Sequence, residues 1–370
     1  MLNMAYVRQA SCCLKYSGLS DIGRGRCTAL SVLFYKKLVF AQPSLDKEKE
    51  VPSKEIYTLA CAGLKKLALN QECREAFNKN SLFFKLFEPA AHRYIIASDE
   101  QELNRKLHTL AAKGYQLGVE YVGEENHDPQ VVQRFVSEYL NAIQRFADVG
   151  LKPQLGFDLS AVGMLVSQET AYRNAEAILS AAAQHDIPVM ISMEHSSAVD
   201  RILEVYAELA PAHHNVGMTV QAHLHRTVND LPRIISYGRK VRLVKGVYNE
   251  AHEIALPRGE ELDNRYLILL DDLLAANVSV SCATQDPNLI KRLFEGGYHA
   301  KIEELEMLHG VQPDVLRSAR EAGLTCRIAA VYGDSWYLHF LHRLAESPDN
   351  VLEALADFYD PSRITFGAGY

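Results

Sequence analysis

The sequence predicts an α/β protein, a (βα)8 TIM-like barrel with a helical N-terminal extension. After about Ser98, short apolar runs of strand length alternate with helical stretches, and there are eight such runs. The runs lack polar alternation, as parallel strands do when both of their faces are buried. The eight units fill about 250 residues, the size of a closed barrel of this type. An open doubly wound sheet is the competing architecture, but the G-x-G-x-x-G turn typical of it is absent.

The part of the chain before the barrel has a different texture. Residues 1–50 are predicted to be a leader and linker that could be mobile, because the segment 42–54 carries prolines and mixed charge. Residues 51–87 follow a helical pattern, and residues 51–97 are predicted to form an N-terminal helical arm. The barrel is assigned to residues 98–370. Its predicted strands lie at 116–123, 153–160, 188–194, 216–222, 241–247, 278–284, 302–310 and 325–333.

Composition narrows the function classes. The net charge is −7 and the basic residues form no stripe, so nucleic-acid binding is not expected. The seven cysteines show no metal-like or redox spacing, which favours a reducing compartment and a cytoplasmic protein. No run of about 18 apolar residues occurs, so we expect at most peripheral membrane contact. The first 40 residues hold six Lys or Arg against one acid, as organelle transit peptides do, so targeting by the leader stays open.

The carboxyl ends of the predicted strands are unusually polar. In a barrel of this type the active site lies at those ends. The polar residues there are Asp158, Ser160, Ser192, Glu194, His195, Gln221, His223, Arg242, Lys245, Tyr248, Thr284, Gln285, Asp286, Glu306, His309 and Tyr332. The histidines lack the H-x-H spacing that metal-dependent hydrolases place after the first strand, so no metal site is predicted.

The sharpest segment is V-R-L-V-K-G-V-Y at 241–248. A cation inside an apolar strand costs several kcal/mol unless it is paired or contacts an anionic ligand. One explanation of Arg242 is therefore a ligand, and the other is a structural ion pair with an acid of a neighbouring strand. The acids considered are Glu120, Glu194 and Asp158. Gly246 favours the ligand, because a strand end without a side chain lets a ligand approach the backbone.

This segment resembles the R-L-V-K-G-A-Y motif of the proline dehydrogenase family, and residues 249–263 continue it. Other strand ends match the family in barrel order. I-S-M-E at 191–194 resembles its D-M-E strand, and V-Q-A-H-L at 220–224 its Q-A-Y-L strand. C-A-T-Q-D at 282–286 resembles A-T-H-D, and E-M-L-H-G at 306–310 resembles Q-M-L-Y-G. Y-G at 332–333 with H-R-L-A-E at 342–346 resembles the helix that carries Y-x-x-R-R-L-x-E. The resemblance covers roughly residues 98–348.

The resemblance implies a barrel that holds FAD at its mouth, oxidises a cyclic secondary amine or imino acid to the imine, and passes electrons to a quinone or other acceptor. Cations suit a flavin, whose N1–C2=O edge gains negative charge on reduction. Arg242 and Ser192 are the predicted catalytic residues, and Ser192 stands where the family has Asp. The predicted cofactor-binding residues are Met193, Gln221, Arg242, Lys245, Gly246, Val247, Thr284 and Gln285, the last at a family His position.

The substrate half of the family pattern is changed. The family holds the proline carboxylate with a strand lysine and an Arg-Arg pair. Here the lysine position is Asp158, the first arginine is His342, and only Arg343 remains. His339 replaces a tyrosine of the helix signature, and in a helix it shares one face with His342 and Arg343. The predicted substrate-binding residues are Asp158, Tyr332, His339, His342 and Arg343.

Two functions are compatible with this mixture. The first is a FAD-dependent oxidoreductase of the proline dehydrogenase type with altered substrate specificity, whose partners are a small amine or imino acid and an electron acceptor. The second is a flavin-binding but catalytically degenerate barrel with a structural or regulatory role. Retention of the flavin-contacting set favours the first, and the changed substrate positions keep the second open.

Overall fold

The computed structural model describes residues 54–68, 70–77, 81–123, 125–346 and 348–370, so the predicted leader and linker at 1–50 lie outside the described residues. None of the helices in these ranges combines the length and apolar composition needed to cross a bilayer. The helices are α1 Lys54–Ala68, α2 Gln71–Ala76, α3 Leu82–Ala91, α4 Glu100–Ala112, α5 Pro129–Asp148, α6 Gln168–Ala183, α7 Val199–Leu209, α8 Thr227–Ser236, α9 Glu260–Ala275, α10 Pro287–Glu295, α11 Pro313–Glu321, α12 Tyr337–Glu346 and α13 Pro348–Tyr359.

Eight parallel strands form a closed barrel, which confirms the predicted fold class. The sheet runs in chain order from β2 to β9, and β9 closes it by pairing with both β8 and β2. Each of the eight predicted runs contains one of these strands. The strands, preceded by a short first strand, are β1 Ile95–Ala97, β2 Gln116–Tyr121, β3 Gln154–Phe157, β4 Val189–Ile191, β5 Val216–Gln221, β6 Val241–Val244, β7 Val280–Ala283, β8 Glu304–Leu308 and β9 Cys326–Tyr332.

Local sequence explains where the crossover helices begin. Asp99, Asp128, Ser167 and Asp286 precede α4, α5, α6 and α10, and each side chain accepts a hydrogen bond from a backbone N–H of the first turn. Such caps satisfy donors that have no partner within the helix. The strand residues between the helices are almost all buried, as expected when helices cover the outside of a parallel sheet.

The strand β1 lies at the end of the predicted arm at 51–97, after the helical pattern of residues 51–87 has ended. Its three residues pair with the end of β9, where Ile95 lies opposite Val331 and Ala97 opposite Tyr332. β8 pairs with the earlier part of β9, up to Ala329. β1 therefore pairs with β9 beyond the point where β8 ends. Three buried apolar residues are too few to show the periodicity of a strand in the sequence.

An aromatic cluster joins the helices before the barrel to α12. Trp336, which is 0% exposed, lies with its ring centroid 4.8 Å from that of Phe77 and 4.7 Å from that of Phe84. The Tyr337 hydroxyl donates a hydrogen bond of 3.0 Å to the Leu67 carbonyl in α1, and α1 packs along α12. Aromatic pairs of this kind contribute about 0.5–1.5 kcal/mol each beyond the area they bury. The described part of residues 54–91 thus fixes the position of α12 through these contacts.

Candidate active site

A cavity of about 1840 Å³ extends from the barrel interior to its mouth at the carboxyl ends of the strands. It is larger than an ordinary ligand pocket of about 300–1,000 Å³, so it has room for a dinucleotide and a small substrate together. The structure brings most of the sequence-predicted site residues to this one cavity. Those that line it are Asp158, Ser192, Met193, Gln221, Arg242, Lys245, Gly246, Val247, Thr284, Gln285, His339, His342 and Arg343.

Arg242 lines the cavity and bonds to side chains on β5 and β8 and to Ser192, the residue that follows β4. Its Nε donates to Thr219 Oγ1 at 3.0 Å, and its Nη2 donates to Ser192 Oγ at 3.0 Å. Its Nη1 lies 3.2 Å from Glu306 Oε1 on β8. Ser281 in turn donates to the other Glu306 oxygen at 2.8 Å. The structural partner of Arg242 is therefore Glu306, which is not one of the three acids considered from the sequence.

A second carboxyl group, that of Glu120, faces the same guanidinium. A Cβ at Gly156 would lie 2.9 Å from Glu120 Oε2 and 3.9 Å from Arg242 Nη1, so the glycine leaves the space that the two side chains share. Burial raises the pKa of Glu120, Arg242 opposes this shift, and Glu306 adds to it. Two acids thus share one cation. The Glu120 carboxyl is therefore protonated more easily than an isolated carboxyl group would be.

Lys245 is held between two carboxylates at the end of β6. Its Nζ contacts Asp263 on α9 and Asp286, the residue that caps α10. Burial raises the pKa of Asp286, but the hydrogen bond and charge of Lys245 outweigh it and the pKa is lowered. The ammonium group is thereby fixed beside the cavity. Asp263 was not predicted as a site residue, although it ends the segment 249–263 that continues the family motif. It lies in the first turn of α9, where no strand end marks it.

Gln221 presents a buried amide to the cavity wall. Its Nε2 donates to the carbonyls of Met193 at 2.8 Å and Glu194 at 3.0 Å, which fixes the direction of the amide. The side chain is 3% exposed, and its Oε1 has no hydrogen-bond partner within the part of the chain that the structure describes. A buried amide oxygen without a partner costs about 1–3 kcal/mol, so this position favours a ligand that supplies a donor.

Gly246 adopts a backbone conformation that requires glycine. Its φ is +104°, and a Cβ there would lie 1.6 Å from Nδ1 of His223. Its carbonyl accepts a hydrogen bond of 2.5 Å from Arg258 Nη2. The backbone of Gly246 and Val247 therefore borders the cavity without a side chain at the first position, as the sequence suggested for a ligand-contacting strand end.

The helix α12 turns His339, His342 and Arg343 toward the cavity on one face, as helical spacing predicts. Burial, reinforced by the charge of Arg343, lowers the pKa of His342 to about 4, and the same two causes lower the pKa of His339 well below its usual value. Both histidines are therefore neutral near pH 7. Arg343 is the cation of this face, and its Nη1 already lies 2.7 Å from Glu346 Oε1.

Of the predicted substrate-binding residues, Asp158 lies at the cavity and Tyr332 does not. Asp158 lines the cavity just beyond the end of β3. Tyr332 does not line it. Side chains alternate across a strand, and Tyr332 points outward to α5, where its hydroxyl donates to Glu138 at 3.0 Å and its ring lies 5.1 Å from that of Tyr121. Val331, its neighbour in β9, faces the cavity instead.

A closed (βα)8 barrel with a polar cavity at the carboxyl ends of its strands defines a barrel enzyme. Residues 103–350 match the family model described as "Proline dehydrogenase". The chain is 30% identical over 266 residues to "Proline dehydrogenase 1" of Bacillus subtilis (strain 168), covering 70% of this chain and 87% of that protein. It is 27% identical over 270 residues to "Proline dehydrogenase" of Deinococcus radiodurans, with coverage of 70% and 87%. The chain belongs to the proline dehydrogenase family and is an oxidoreductase of that type.

Solved structures give the same fold. The barrel resembles the crystal structure of proline utilization A (PutA) from Bdellovibrio bacteriovorus inactivated by N-propargylglycine, with a TM-score of 0.68 and 14% sequence identity. The match covers 93% of this chain and 43% of the PutA chain, so this chain spans less than half of that protein's length. At this identity the likeness concerns the fold.

Proposed function

We propose that the protein is a FAD-dependent dehydrogenase that oxidises a proline-like cyclic secondary amine or imino acid to the imine, with altered substrate specificity. Electrons pass to a quinone or another acceptor. The observation that carries this proposal is Gln221, which lines the cavity with Lys245 and Arg242 and whose buried Oε1 has no hydrogen-bond partner among the described residues. The cysteines within the described ranges, Cys61, Cys73, Cys282 and Cys326, are free thiols, which supports a reducing, cytoplasmic location.

The residues present fit a flavin. Gln221 Oε1 is an acceptor suited to an N–H of the isoalloxazine ring, and Lys245 and Arg242 are cations suited to the ring edge that gains negative charge on reduction. The bare backbone of Gly246 leaves room for close approach. Met193, Val247, Thr284 and Gln285 complete the proposed contact set. When bound, FAD would supply the two-electron oxidant of the reaction.

The remaining chemistry falls to the side chains of the barrel. Oxidation of an amine to an imine removes two electrons and two protons, and the amine must be neutral at nitrogen to react. Asp158 at the end of β3 can accept a hydrogen bond from the substrate N–H, while Arg343 on α12 can orient a carboxylate. Arg242 and Ser192, joined by their 3.0 Å hydrogen bond, form the proposed catalytic pair in the cavity lining.

The proposal of altered specificity rests on two changed residues at the positions where the family binds the substrate carboxylate. Asp158 places a negative charge where the family has a lysine, and His342 is neutral where the family has an arginine. These changes favour a substrate with an additional cationic or hydrogen-bond-donating group, or one that lies in a different orientation. They also favour the second candidate, a flavin-binding barrel that has lost turnover.

We expect the purified protein to be yellow and to show the absorption bands of non-covalently bound flavin. Denaturation should release FAD, because no covalent attachment is proposed. A screen of cyclic amines and imino acids under anaerobic conditions should then find at least one that bleaches these bands. Protein produced with ample riboflavin yet lacking flavin absorbance contradicts the cofactor proposal. Bound flavin that no amine in the screen reduces supports the degenerate barrel instead.

We expect removal of residues 1–45 to leave the flavin bound. The first described helix begins at Lys54, and the cavity lining within the described ranges begins at Cys61. The flavin content per chain after gel filtration, compared between the full chain and the truncated chain, measures this. Loss of flavin or of cooperative unfolding after truncation would show that the leader is part of the barrel's core.

A further inference from the structure

His223 lies against the backbone of Gly246 at the end of β5. Its ring occupies the space that a side chain at Gly246 would need, and the imidazole is 4% exposed. The ring borders the cavity together with Gly246 and Val247. Neither the family motif, which has tyrosine at this position, nor the proposed flavin contacts assign it a role.

The hydrogen bonds of His223 determine which ring nitrogen carries the proton. Nδ1 lies 3.0 Å from the carbonyl oxygen of Lys245, and a carbonyl oxygen can only accept. Nδ1 is therefore the donor of a neutral ring. Burial lowers the pKa of His223, and the hydrogen bond to the Lys245 carbonyl only partly opposes this, so the ring is neutral near pH 7. Nε2 then carries a lone pair and acts as an acceptor.

That acceptor has no partner among the described residues. Nε2 is buried and makes no hydrogen bond, although the other ring nitrogen and the backbone N–H both bond to Lys245 O. Buried acceptors are rarely left unsatisfied, and an exception calls for a specific cause. The ring is fixed on one side by Lys245 and Gly246. His223 is also one of the residues that line the cavity, so a molecule that fills the cavity is the candidate partner of this nitrogen.

We propose that His223 is a cofactor-binding residue whose Nε2 accepts a hydrogen bond from a hydroxyl or N–H group of the flavin cofactor. This inference rests on the proposed function in that the cofactor is FAD. It assigns to His223 a ligand contact in addition to its bond to Lys245. The alternative is a purely structural role, in which only the bond from Nδ1 to Lys245 O matters.

Two substitutions separate these roles. In His223→Asn the side-chain amide nitrogen can take the place of Nδ1 and keep the bond to Lys245 O, while the acceptor at Nε2 is lost. In His223→Gln the amide oxygen can take the place of Nε2. The measured quantity is the Kd of FAD for apoprotein, from quenching of flavin fluorescence. His225→Asn is the matched control, since His225 is two residues away and does not line the cavity.

We expect His223→Asn to weaken FAD binding about tenfold, and His223→Gln to stay within about threefold of the parent. His225→Asn should bind FAD as the parent does. A normal Kd in His223→Asn, or the reverse order of the two variants, overturns the inference and assigns His223 a structural role. A parent apoprotein that binds no FAD overturns the cofactor assignment itself, and the inference with it.

Discussion

L-proline should bind to this protein about 10²–10⁴-fold more weakly than to a site that carries the three cations of the family pattern. Asp158 and His342 replace two of those cations. Charge-assisted hydrogen bonds contribute about 1.5–3 kcal/mol each, so two losses cost roughly 3–6 kcal/mol. The structure strengthens this expectation, because burial and the charge of Arg343 lower the pKa of His342 to about 4 and leave this side chain neutral near pH 7.

The measurement is anaerobic reduction of the flavin by L-proline in the parent and in the Asp158→Lys, His342→Arg double variant. The double variant should respond to proline at concentrations at least tenfold lower than the parent. Asp148→Lys with His214→Arg is the matched control, since both residues are exposed and lie outside the cavity lining. Efficient turnover of L-proline by the parent, or a double variant no better than the control, contradicts altered specificity.

Replacement of Arg242 by methionine should lower the free energy of unfolding by about 3–5 kcal/mol. The substitution leaves Glu306, which is 3% exposed, without its cation and removes the donors to Thr219 and Ser192. Urea unfolding measures the loss. Arg233→Met is the control, because Arg233 is exposed on α8 and surface substitutions usually change stability by less than about 0.5 kcal/mol.

The Arg242→Met variant also distinguishes the two explanations of Arg242, which are contact with a ligand and a structural ion pair. If Arg242 also contacts the flavin, Arg242→Met should lose bound FAD under conditions where it is still folded. Adding Glu306→Gln should recover part of the stability without recovering the flavin, because it removes the uncompensated carboxylate. A destabilised variant with the parent's flavin content and spectrum would assign Arg242 to the ion pair alone.

The strands and the residues at their ends could be predicted because each is a local pattern. Apolar runs without alternation mark parallel strands, and strand ends mark the mouth, so Asp158, Gln221, Lys245 and Thr284 were placed at the cavity from sequence. The spacing of His339, His342 and Arg343 likewise predicted their common face on α12.

Contacts across the barrel could not be predicted in the same way. Arg242 on β6 reaches Glu306 on β8 because the strands of a barrel are tilted and staggered. The hydrophobic pattern of a sequence gives neither the tilt nor the stagger. Tyr332 was assigned to the substrate from its motif, but the alternation of side chains in β9 turns it outward while Val331 faces in. Asp263 contacts Lys245 from the first turn of α9, and the rule that strand ends form the site does not apply to a helix.

The aromatic contacts next to α12 determine which segments of this enzyme have to be exchanged together in a chimera. Trp336, the residue before the helix that is proposed to bind the substrate, packs against Phe77 and Phe84, which precede the barrel in the chain. A chimera that imports residues 336–346 from another barrel would remove Trp336 from its contacts with both rings and leave an unfilled apolar gap. Cavities of that kind typically cost several kcal/mol. The exchangeable module is therefore residues 336–346 together with residues 54–91, two pieces of chain that have to be transplanted as one.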